Sequence, residues 1–384
     1  MPDRLNNLKD PDRLLYLVNA AWFFISHRLP LAEAARRAGY DVHVASGAAT
    51  ADEVRLLEKA GFTYHSLGLK RASGNPFHNA ALLLQLFRLY RSVRPAIVHH
   101  VTIKPVILGT LVARFLHIPA VVNAVSGLGY SFSSAERRRK SLRYLVGLAY
   151  RVCLNHPRMT VIFQNADDRL DFLRWTGIKT LNYVLIAGSG VDINRFYPTP
   201  EPSGIVRVVV PARMLRDKGI VEFAMAIGSL RARGVLVEGL MAGSPDPENP
   251  ESLTEPELRA LETQYGVRWI GHCSDVANLF SSTHIVCLPS YREGLPKALI
   301  EASAAGRAIV TTDVPGCRHV VDDGVTGLLV PARQVTPLAD SIGRLVADPD
   351  LRLRLGAAAR ARAEAQFGID QIVSQTLHLY LQMK

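Results

Sequence analysis

Two glutamates in the second half of the chain combine residue types and spacing that suit ligand binding. The segment PSYREGLPKALIEASAAGRAIVTTD, residues 289–313, holds Glu293 and Glu301 with seven residues between them. Pro296 suits the first turn of a helix and Gly306 suits its end. Free amides at a helix start attract phosphate, whereas a carboxylate beside them would repel it. The glutamates therefore fit as acceptors for hydroxyl groups, on a ligand with phosphates at its centre and hydroxyl-bearing rings at its ends.

A plainer interpretation of the same residues stays open. In it, Glu293 and Glu301 are solvated surface acids, and Lys297 pairs with Glu301 four residues further along the helix. The spacing of the two glutamates does not decide between these interpretations by itself.

A cationic element elsewhere in the second half favours a ligand site. In VVVPARMLRDKG, Arg213 and Lys218 follow the first predicted strand of that half. Phosphate recognition commonly uses the planar fork of arginine and the point charge of lysine. We expect the two cations and the two glutamates to serve one ligand.

The elements that must position these residues follow a repeated α/β pattern. Apolar runs such as LLYLVNA, AIVHHVT, VRVVVPA and HIVCLPS alternate with helical segments, which predicts doubly wound parallel sheets covered on both faces. Ligands of such sheets bind beyond the carboxyl ends of the strands. A Gly- and Pro-rich linker at residues 186–204 separates two similar halves. We predict domains at residues 1–195 and 196–365, with a last helix at residues 366–384 that packs toward the first domain.

The positive charge of the chain is concentrated in its first half. The net charge is +11, and residues 1–190 carry 25 Lys and Arg against 12 Asp and Glu, whereas residues 191–384 carry 20 against 22. Such asymmetry indicates contact with something anionic, either a nucleic acid or a membrane surface.

The densest basic run favours the membrane. AERRRKSLRYLVGLAYRVCLNHPR, residues 135–158, places a basic cluster before an apolar stripe with two tyrosines. This pattern is typical of a helix in an anionic headgroup layer. The alternative is an amphipathic helix that packs on its own domain. No nucleic-acid reader motif is present, so we expect no nucleic-acid partner.

The chain start and the cysteines indicate a compartment. MPDRLNNLKDPDR has no apolar stretch of a secretory signal, and runs such as LLYLVNAAWFFI are shorter than the roughly 18 residues of a membrane span. The four cysteines lie singly, without metal or redox spacing. We expect a cytoplasmic protein that is peripheral on the inner face of the cytoplasmic membrane.

The motifs together resemble a known family. PARMLRDKG, WIGH, SGVDINRF and LPSYREGLPKALIEASAAGRAIVTTDVPGCRHVVDDGVTGLLVP are similar to family 4 retaining glycosyltransferases. That resemblance implies the GT-B fold, with two facing Rossmann-like domains and a cleft between them. NAAWFFISHRLPLAEAARRAGYDVHVA, HHVTIKP and VNAVSGLGY resemble the bacterial subgroup that extends lipid-linked oligosaccharides.

The resemblance implies a role for each residue of the donor site. Glu293 would contact hydroxyls of the donor sugar, and Glu301 would bind the ribose. Arg213 and Lys218 would hold the diphosphate. The remaining donor contacts would be the amides of Gly294 and Leu295 at the diphosphate and His272 beside the base.

The resemblance also implies a mechanism without a protein nucleophile or a metal. A donor phosphate oxygen helps to deprotonate the acceptor on the face that the leaving group vacates. Asp10-Pro-Asp12 and Asp348-Pro-Asp350 match a metal-binding D-x-D pattern. The first lies in a charged leader and the second opens a helix, where aspartates are ordinary caps. We therefore expect no metal and no cofactor besides the donor.

Four residues of the first half are candidates for the acceptor side of the cleft. His27 and Arg28 lie at the first strand-to-helix turn, and His100 and Lys104 lie at the end of the strand AIVHHVT. An alternative stays open for each histidine. His27 and Arg28 could pack at the helix start, and His100 could form a core histidine pair with its neighbour His99.

Two positions depart from the family pattern. Ser126 occupies a position where several relatives carry histidine, so a histidine contact to the sugar is not expected there. His319 occupies a position where glutamate is frequent.

The resulting hypothesis is a retaining glycosyltransferase of bacterial polysaccharide or glycan biosynthesis. It would move a hexose or N-acetylhexosamine from a nucleotide-sugar, with UDP favoured over GDP, to a polyprenyl-diphosphate-linked saccharide. A nucleotide-sugar 2-epimerase of the same fold is the alternative, although it would have no use for a basic amphipathic patch. A catalytically inactive lectin-like partner is a third hypothesis, disfavoured by the complete set of donor-site residues.

Overall fold

The first domain is built on a seven-stranded parallel sheet. The computed structural model describes residues 11–70, 75–125 and 146–383. The strand order is β3-β2-β1-β4-β5-β6-β7, so the short strands β3 and β7 form the edges. The strands are β1 Arg13–Leu17, β2 Asp41–Ser46, β3 Thr63–Ser66, β4 Ile97–Val101, β5 Ala120–Val125, β6 Met159–Phe163 and β7 Tyr183–Leu185.

Helices cover both faces of this sheet. One face carries α1 Ala21–His27, α2 Leu29–Arg37 and α3 Ala51–Lys59. The other face carries α4 Pro76–Val93, a π-helical turn at Pro105–Gly109 that continues as α5 Thr110–Phe115, the helical residues 146–153 (α6) and α7 Ala166–Thr176. No helix within the described ranges is both long enough and apolar enough to cross a bilayer.

The continuous apolar runs of the sequence arise because each strand is buried on both sides. Side chains alternate along a strand, so Leu15 and Leu17 of β1 pack under α4 and α5, whereas Leu14 and Tyr16 pack under α1 and α2. All four are fully buried. The first domain therefore has two cores that share one sheet.

The second domain repeats the architecture with six parallel strands in the order β10-β9-β8-β11-β12-β13. Its strands are β8 Val206–Pro211, β9 Val237–Ala242, β10 Arg268–Gly271, β11 Ile285–Leu288, β12 Ala308–Thr312 and β13 Leu328–Val330. Its helices are α8 Ile220–Ala232, α9 Glu255–Tyr265, α10 Val276–Ser281, α11 Lys297–Ala304, α12 Cys317–Val320, α13 Val335–Ala347 and α14 Pro349–Gln366.

The last helix returns to the first domain, as predicted. Helix α15, Ile369–Gln382, buries Ile372, Leu379 and Tyr380 in the core under α1 and α2. The Tyr380 hydroxyl lies 2.5 Å from His99 Nδ1 and 3.1 Å from the Tyr16 hydroxyl. The prediction that Asp348 caps a helix is also confirmed, because its side chain accepts a hydrogen bond from the Leu351 amide at the start of α14.

Candidate active site

The loop after β11 brings a glutamate and a lysine together at the carboxyl end of the second sheet. The Oε1 atom of Glu293 lies 2.5 Å from Lys218 Nζ and accepts a hydrogen bond of 2.7 Å from the Ser290 hydroxyl. The Lys218 and Glu293 side chains are 17% and 13% exposed. The two predicted residues therefore form one partly buried ion pair, although they lie 75 positions apart in the sequence.

Two glycines allow the loops that carry this pair to approach each other. Gly219, directly after Lys218, has a φ of +72°, and a Cβ there would lie 2.2 Å from the Pro289 carbonyl oxygen. Gly316 has a φ of +86°, and a Cβ there would lie 2.5 Å from the carbonyl oxygen of Glu293. Glycine adopts positive φ without steric cost and leaves room for a neighbouring backbone. The chain turns after β8, β11 and β12 thus meet at one point.

The backbone beside Glu293 offers hydrogen-bond donors. Helix α11 begins at Lys297, and Gly294 and Leu295 lie just before its N-cap residue, Pro296. Neither amide donates a hydrogen bond to another residue of the described ranges. Two unused amides at a helix start, next to the Lys218 ammonium, form an arrangement that can bind an anion.

Glu301 lies inside α11 and is buried, with 8% of its surface exposed. The Lys297 ammonium lies 3.3 Å from its Oε1 atom, so the i, i+4 pair of the plainer interpretation is present. The prediction of a solvated acid is wrong for Glu301, because the residue is buried. Burial raises the pKa of Glu301, and Lys297 opposes that rise. A buried carboxylate at the edge of a cavity is suited to accept hydrogen bonds from a ligand.

A cavity of about 420 Å³ adjoins these residues. Its walls include Arg213 after β8, His272 after β10 and Glu301, together with apolar surface from Val276 and Leu279. Trp22 of α1 contributes the wall from the first domain. The structure therefore brings three predicted donor-site residues into one interdomain cavity.

Arg213 is held by a carboxylate that sequence reasoning missed. Its Nη1 atom lies 2.5 Å from Asp246 Oδ2, in the loop after β9, and Asp246 also lines the cavity. Asp246 lies in SPDPENP, a proline-rich loop that directly follows a strand end. The position of Asp246 just after a strand could have marked it as a residue of the ligand cavity. The same signal was available for Trp22.

His27 faces the second domain from the end of α1. Its Nδ1 atom lies 3.2 Å from the Phe23 carbonyl oxygen, and its ring stacks on Phe23 with centroids 4.2 Å apart. Because a carbonyl only accepts, Nδ1 carries the hydrogen and Nε2 keeps its lone pair. Burial lowers the pKa of His27 to about 3, and the nearby Lys297 and Arg28 push it in the same direction.

Arg28 and His100 are not cleft residues. Arg28 is 6% exposed between α1 and α2, near Tyr16 and Tyr380, and burial lowers the pKa of its guanidinium. This position corresponds to the helix-start packing alternative. His100 has no exposed surface and lies within a hydrogen-bonded core network. Placement of both on the acceptor side is therefore wrong.

The network around His100 explains why a histidine is tolerated in the core. Its Nδ1 atom lies 2.8 Å from Asn123 Oδ1, and its Nε2 atom lies 2.8 Å from the Tyr90 hydroxyl. Burial lowers the pKa of His100 to about 4. His99 lies on the opposite face of β4 against Tyr380, so the core histidine pair is the correct interpretation.

Lys104 remains at the surface beyond β4, where its ammonium donates to the Lys70 carbonyl oxygen at 2.5 Å. Ser126 lies outside the described residues, as do residues 135–145 of the basic segment. His319 has a partner in the first domain, with its Nε2 atom 3.3 Å from Asp167 Oδ2. Of the four acceptor-side candidates, His27 is the one that lies near the donor-site cations.

Comparison with known proteins identifies the class to which this fold and site belong. The first domain matches the family model described as Glycosyl transferase 4-like over residues 13–165, and the second matches Glycosyl transferases group 1 over residues 198–362. The chain belongs to this glycosyltransferase family, and it is an enzyme that transfers glycosyl groups.

Particular relatives are similar over most of the chain. The N,N'-diacetylbacillosaminyl-diphospho-undecaprenol alpha-1,3-N-acetylgalactosaminyltransferase of Campylobacter jejuni is 27% identical over 334 residues, which are 82% of this chain and 86% of the relative. The alpha-maltose-1-phosphate synthase of Mycobacterium tuberculosis is 30% identical over 312 residues, 74% of this chain and 78% of the relative.

A solved structure shows the same fold. HepE of Anabaena, in complex with UDP and glucose, matches with a TM-score of 0.77 at 17% identity, over 97% of this chain and 100% of that chain. The predicted GT-B fold is confirmed. The named relatives are transferases and synthases, and none of them supports the epimerase alternative.

Proposed function

We propose that this glycosyltransferase moves a hexose or N-acetylhexosamine from a UDP-sugar to a polyprenyl-diphosphate-linked saccharide, with retention of the anomeric configuration. The observation that carries the proposal is the grouping of the Lys218–Glu293 pair with the free amides of Gly294 and Leu295, beside the interdomain cavity. The name of the Campylobacter jejuni relative specifies a diphospho-undecaprenol acceptor, and HepE binds UDP, which support the two substrate classes.

The nucleoside part of the donor fits the cavity of about 420 Å³. There the buried Glu301 carboxylate accepts hydrogen bonds from the ribose hydroxyls, and His272 borders the base. Arg213 lies at the same wall, where Asp246 holds its guanidinium in place. A charged acceptor inside a partly buried site gives stronger hydrogen bonds than a neutral one, so Glu301 contributes substantially to donor affinity.

The diphosphate lies between the cavity and Glu293. When the bond between the sugar C1 and the diphosphate oxygen breaks, negative charge builds on the leaving diphosphate. The Lys218 ammonium and the amides of Gly294 and Leu295 stabilise this developing charge more than they stabilise the ground state. Because these groups are fixed before the reaction, little reorganisation is needed at the transition state.

Transfer with retention requires the acceptor oxygen to bond to C1 on the face that the diphosphate leaves. An oxygen of the departing phosphate takes the proton of the acceptor hydroxyl, so the protein supplies no nucleophile and no base. His27 faces this region from the first domain, and its Nε2 lone pair accepts a hydrogen bond from a sugar hydroxyl. Its lowered pKa keeps the imidazole neutral, which avoids a further cation beside Lys297.

A ligand-binding screen tests the donor assignment. UDP-sugars and GDP-sugars are added to the purified protein and the melting temperature is measured, because a ligand at a hundred times its Kd stabilises by about 2.7 kcal/mol. We expect a rise with a UDP-sugar, and loss of most of that rise in Glu301→Ala. Glu364→Ala, an exposed acid of α14 that pairs with Arg360, is the matched control. A rise with GDP-sugars alone would contradict the choice of UDP.

We assign the enzyme to the inner face of the cytoplasmic membrane because of a basic, apolar surface on the first domain. Between Glu58 and Asp167 the sequence holds fifteen Lys and Arg but a single acid, Glu136. This stretch includes all of α4, α5 and α6. An anionic lipid surface is the partner that such a charge pattern favours.

The described part of this surface joins the basic residues to exposed apolar ones. Phe77 on α4 is 84% exposed and Phe115 on α5 is 72% exposed. Phe115 also contacts Phe87, with ring centroids 5.8 Å apart, so α4 and α5 form one continuous surface. We call this surface the α4–α5 face; its other outward residues are Leu84, Arg88, Arg91, Leu111 and Arg114.

The described part of the basic segment 135–158 includes α6, which packs in the same core as α4 and α5. There Leu148 and Val152 are exposed, whereas Tyr150 and Cys153 are buried. The described end of the segment thus presents apolar residues to solvent as well as to its own core. Large exposed apolar side chains surrounded by cations suit insertion into a headgroup layer.

Vesicle sedimentation tests the membrane assignment. The protein is mixed with phosphatidylglycerol-containing vesicles or with pure phosphatidylcholine vesicles, and the bound fraction is measured. We expect binding to the anionic vesicles, and at least a tenfold loss of affinity when Phe77 and Phe115 are both replaced by serine. Leu56→Ser, at a 41% exposed position of α3 on the opposite face, is the matched control. Equal binding by the double variant would contradict the role of the α4–α5 face.

A further inference from the structure

The loop that carries Glu293 is held by the first domain as well as by the second. The side-chain amide of Asn165 donates to the carbonyl oxygen of Gly294 at 2.5 Å. Asn165 is 4% exposed and directly precedes α7. Its Oδ1 atom accepts a hydrogen bond of 2.7 Å from the backbone amide of Asp168. One buried side chain therefore caps a helix of the first domain and binds the backbone of the donor-site loop.

This hydrogen bond fixes the direction of a donor-site amide. The carbonyl of Gly294 and the N–H of Leu295 belong to the same peptide group, which is planar, and in a trans peptide they point in opposite directions. Fixing the Gly294 carbonyl toward Asn165 therefore directs the Leu295 N–H away from α7. That N–H is one of the two amides that the proposed function assigns to the leaving diphosphate.

An interdomain ion pair adjoins this hydrogen bond. The Arg292 guanidinium lies 2.7 Å from Asp168 Oδ1 and 2.9 Å from Asp171 Oδ2. The Asp168 side chain has no exposed surface and that of Arg292 is 16% exposed. Burial raises the pKa of Asp168, and the hydrogen bond from Arg292 opposes that rise. Removing one partner of such a pair leaves a buried charge uncompensated, so the pair favours contact between the domains.

Helix α12 of the second domain is bound to the same helix. Asp167 Oδ2 lies 3.5 Å from Arg318 Nη1 and 3.3 Å from His319 Nε2. Arg318 and His319 follow Gly316, which lies directly against the backbone of Glu293. The first turn of α7 thus contacts the loop that carries Glu293 and also the helix that begins next to that loop.

We propose that the first turn of α7 positions the diphosphate-binding amides, with Asn165 and Arg292 as positioning residues. This inference depends on the proposed function. When the domains are in contact, Asn165 orients the Gly294–Leu295 peptide and the Asp168–Arg292 pair holds the loop against α7. Because a preorganised donor acts mainly on charge that develops in the transition state, kcat depends on this contact more than the donor KM does.

An isosteric variant tests the role of Asn165. Asn165→Asp keeps an oxygen to cap α7 but replaces the donating amide with an oxygen that repels the Gly294 carbonyl and also Asp168 Oδ2, which lies 3.0 Å from Asn165 Nδ2. We expect kcat to fall about 10- to 100-fold, by analogy with the loss of supporting residues around catalytic groups, while the donor KM changes less than about threefold. Asn75→Asp, at the N-cap of α4, is the matched control with the same chemical change.

A second pair of variants separates positioning from folding. Arg292→Gln removes the charge that Asp168 and Asp171 share, and Arg292→Lys restores a cation without the planar fork. We expect a lower kcat in Arg292→Gln, partial recovery in Arg292→Lys, and UDP binding retained in both. Unchanged kcat in a folded Asn165→Asp or Arg292→Gln protein would overturn the inference. Absence of UDP binding by the unaltered enzyme would instead contradict the proposed function.

Discussion

Lys218 Nζ lies 2.5 Å from Glu293 Oε1, in a pair that joins the chain turn after β8 to the loop after β11. Both side chains are largely shielded from water, so each charge depends on the other for compensation. In the proposed function, a bound diphosphate adds negative charge beside this pair, and the Lys218 ammonium then interacts with the phosphate as well as with Glu293. The pair therefore keeps a cation in place before the donor binds.

Loss of that cation should abolish most of the turnover. We expect Lys218→Ala to lower kcat on the order of 10²–10³-fold, as with loss of one donor at an oxyanion site. Melting temperature should also fall, since Glu293 loses its partner. Release of UDP from a UDP-sugar in the presence of a lipid-linked acceptor measures the rate. Arg233→Ala, which breaks an exposed pair with Asp340, is the control. Near-normal kcat in Lys218→Ala would remove Lys218 from the mechanism.

Donor affinity should depend on pH through Glu301. Burial raises the pKa of this carboxyl, so its proton returns at a higher pH than for an ordinary glutamate. In the proposed function the carboxylate accepts hydrogen bonds from the ribose, and the protonated acid would bind the ribose less well. We therefore expect the Kd for the UDP-sugar to rise as the pH falls through the raised pKa. Glu301→Gln should bind about tenfold more weakly at pH 7.5 and lack this titration, because a hydrogen bond to a charged group is worth about 1.5–3 kcal/mol.

Isothermal titration of the UDP-sugar between pH 5 and 8 measures this dependence. Glu364→Gln, at an exposed position of α14, controls for loss of an acid elsewhere in the domain. A Glu301→Gln variant with the pH profile of the unaltered enzyme would show that another group titrates.

The inner strands of both sheets, and the loops that follow them, could be predicted because burial on both faces leaves continuous apolar runs. The edge strands β3 and β7 were missed, since TYHS and YVL are half-exposed and carry no such run. His99 and His100 also show a limit of sequence reasoning. A strand alternates its side chains between faces, but here both faces are buried, so neither histidine reaches the cleft.

The interdomain contacts could not be predicted, because they join residues more than a hundred positions apart. Asn165 and Gly294 are 129 positions apart, and Arg292 and Asp168 are 124 apart. No local pattern marks such a pair. Asn165 and Asp168 instead match an ordinary helix start, where an amide side chain caps and an acid follows in the first turn. Their second role depends on how the two domains face each other.

The core position of His100 predicts acid sensitivity. Burial lowers the pKa of His100 to about 4, against 6.5 in an unfolded chain. Between these values the unfolded state binds the additional proton, so the free energy of unfolding falls as the pH falls from about 6.5 to about 4. One such histidine contributes a slope of about 1.4 kcal/mol per pH unit.

Urea unfolding at several pH values measures that slope. His100→Asn should reduce it by about the contribution of one histidine and should lower stability at pH 7.5, because the bond to Tyr90 is lost. His378→Asn, at an exposed position of α15, should keep the slope of the unaltered protein. An unchanged slope in His100→Asn would contradict the assignment of the lowered pKa to His100.

A pair of glycine variants separates backbone strain from loop displacement. Gly316 and Gly324 both have positive φ, at +86° and +69°, so alanine at either position strains the backbone and lowers stability. A Cβ at Gly324 would meet no atom within 4 Å, whereas one at Gly316 would lie 2.5 Å from the Glu293 carbonyl oxygen. Both substitutions therefore strain the backbone, and Gly316→Ala must in addition displace the backbone beside Glu293.

We expect Gly324→Ala to lower the melting temperature without a change in kcat. Gly316→Ala should lower both, with kcat falling at least tenfold, because the amides of Gly294 and Leu295 move with the displaced loop. The two variants differ in activity only if the position of that loop matters for turnover. Equal kcat values in the two variants would mean that the Glu293 loop can shift without loss of transition-state stabilisation.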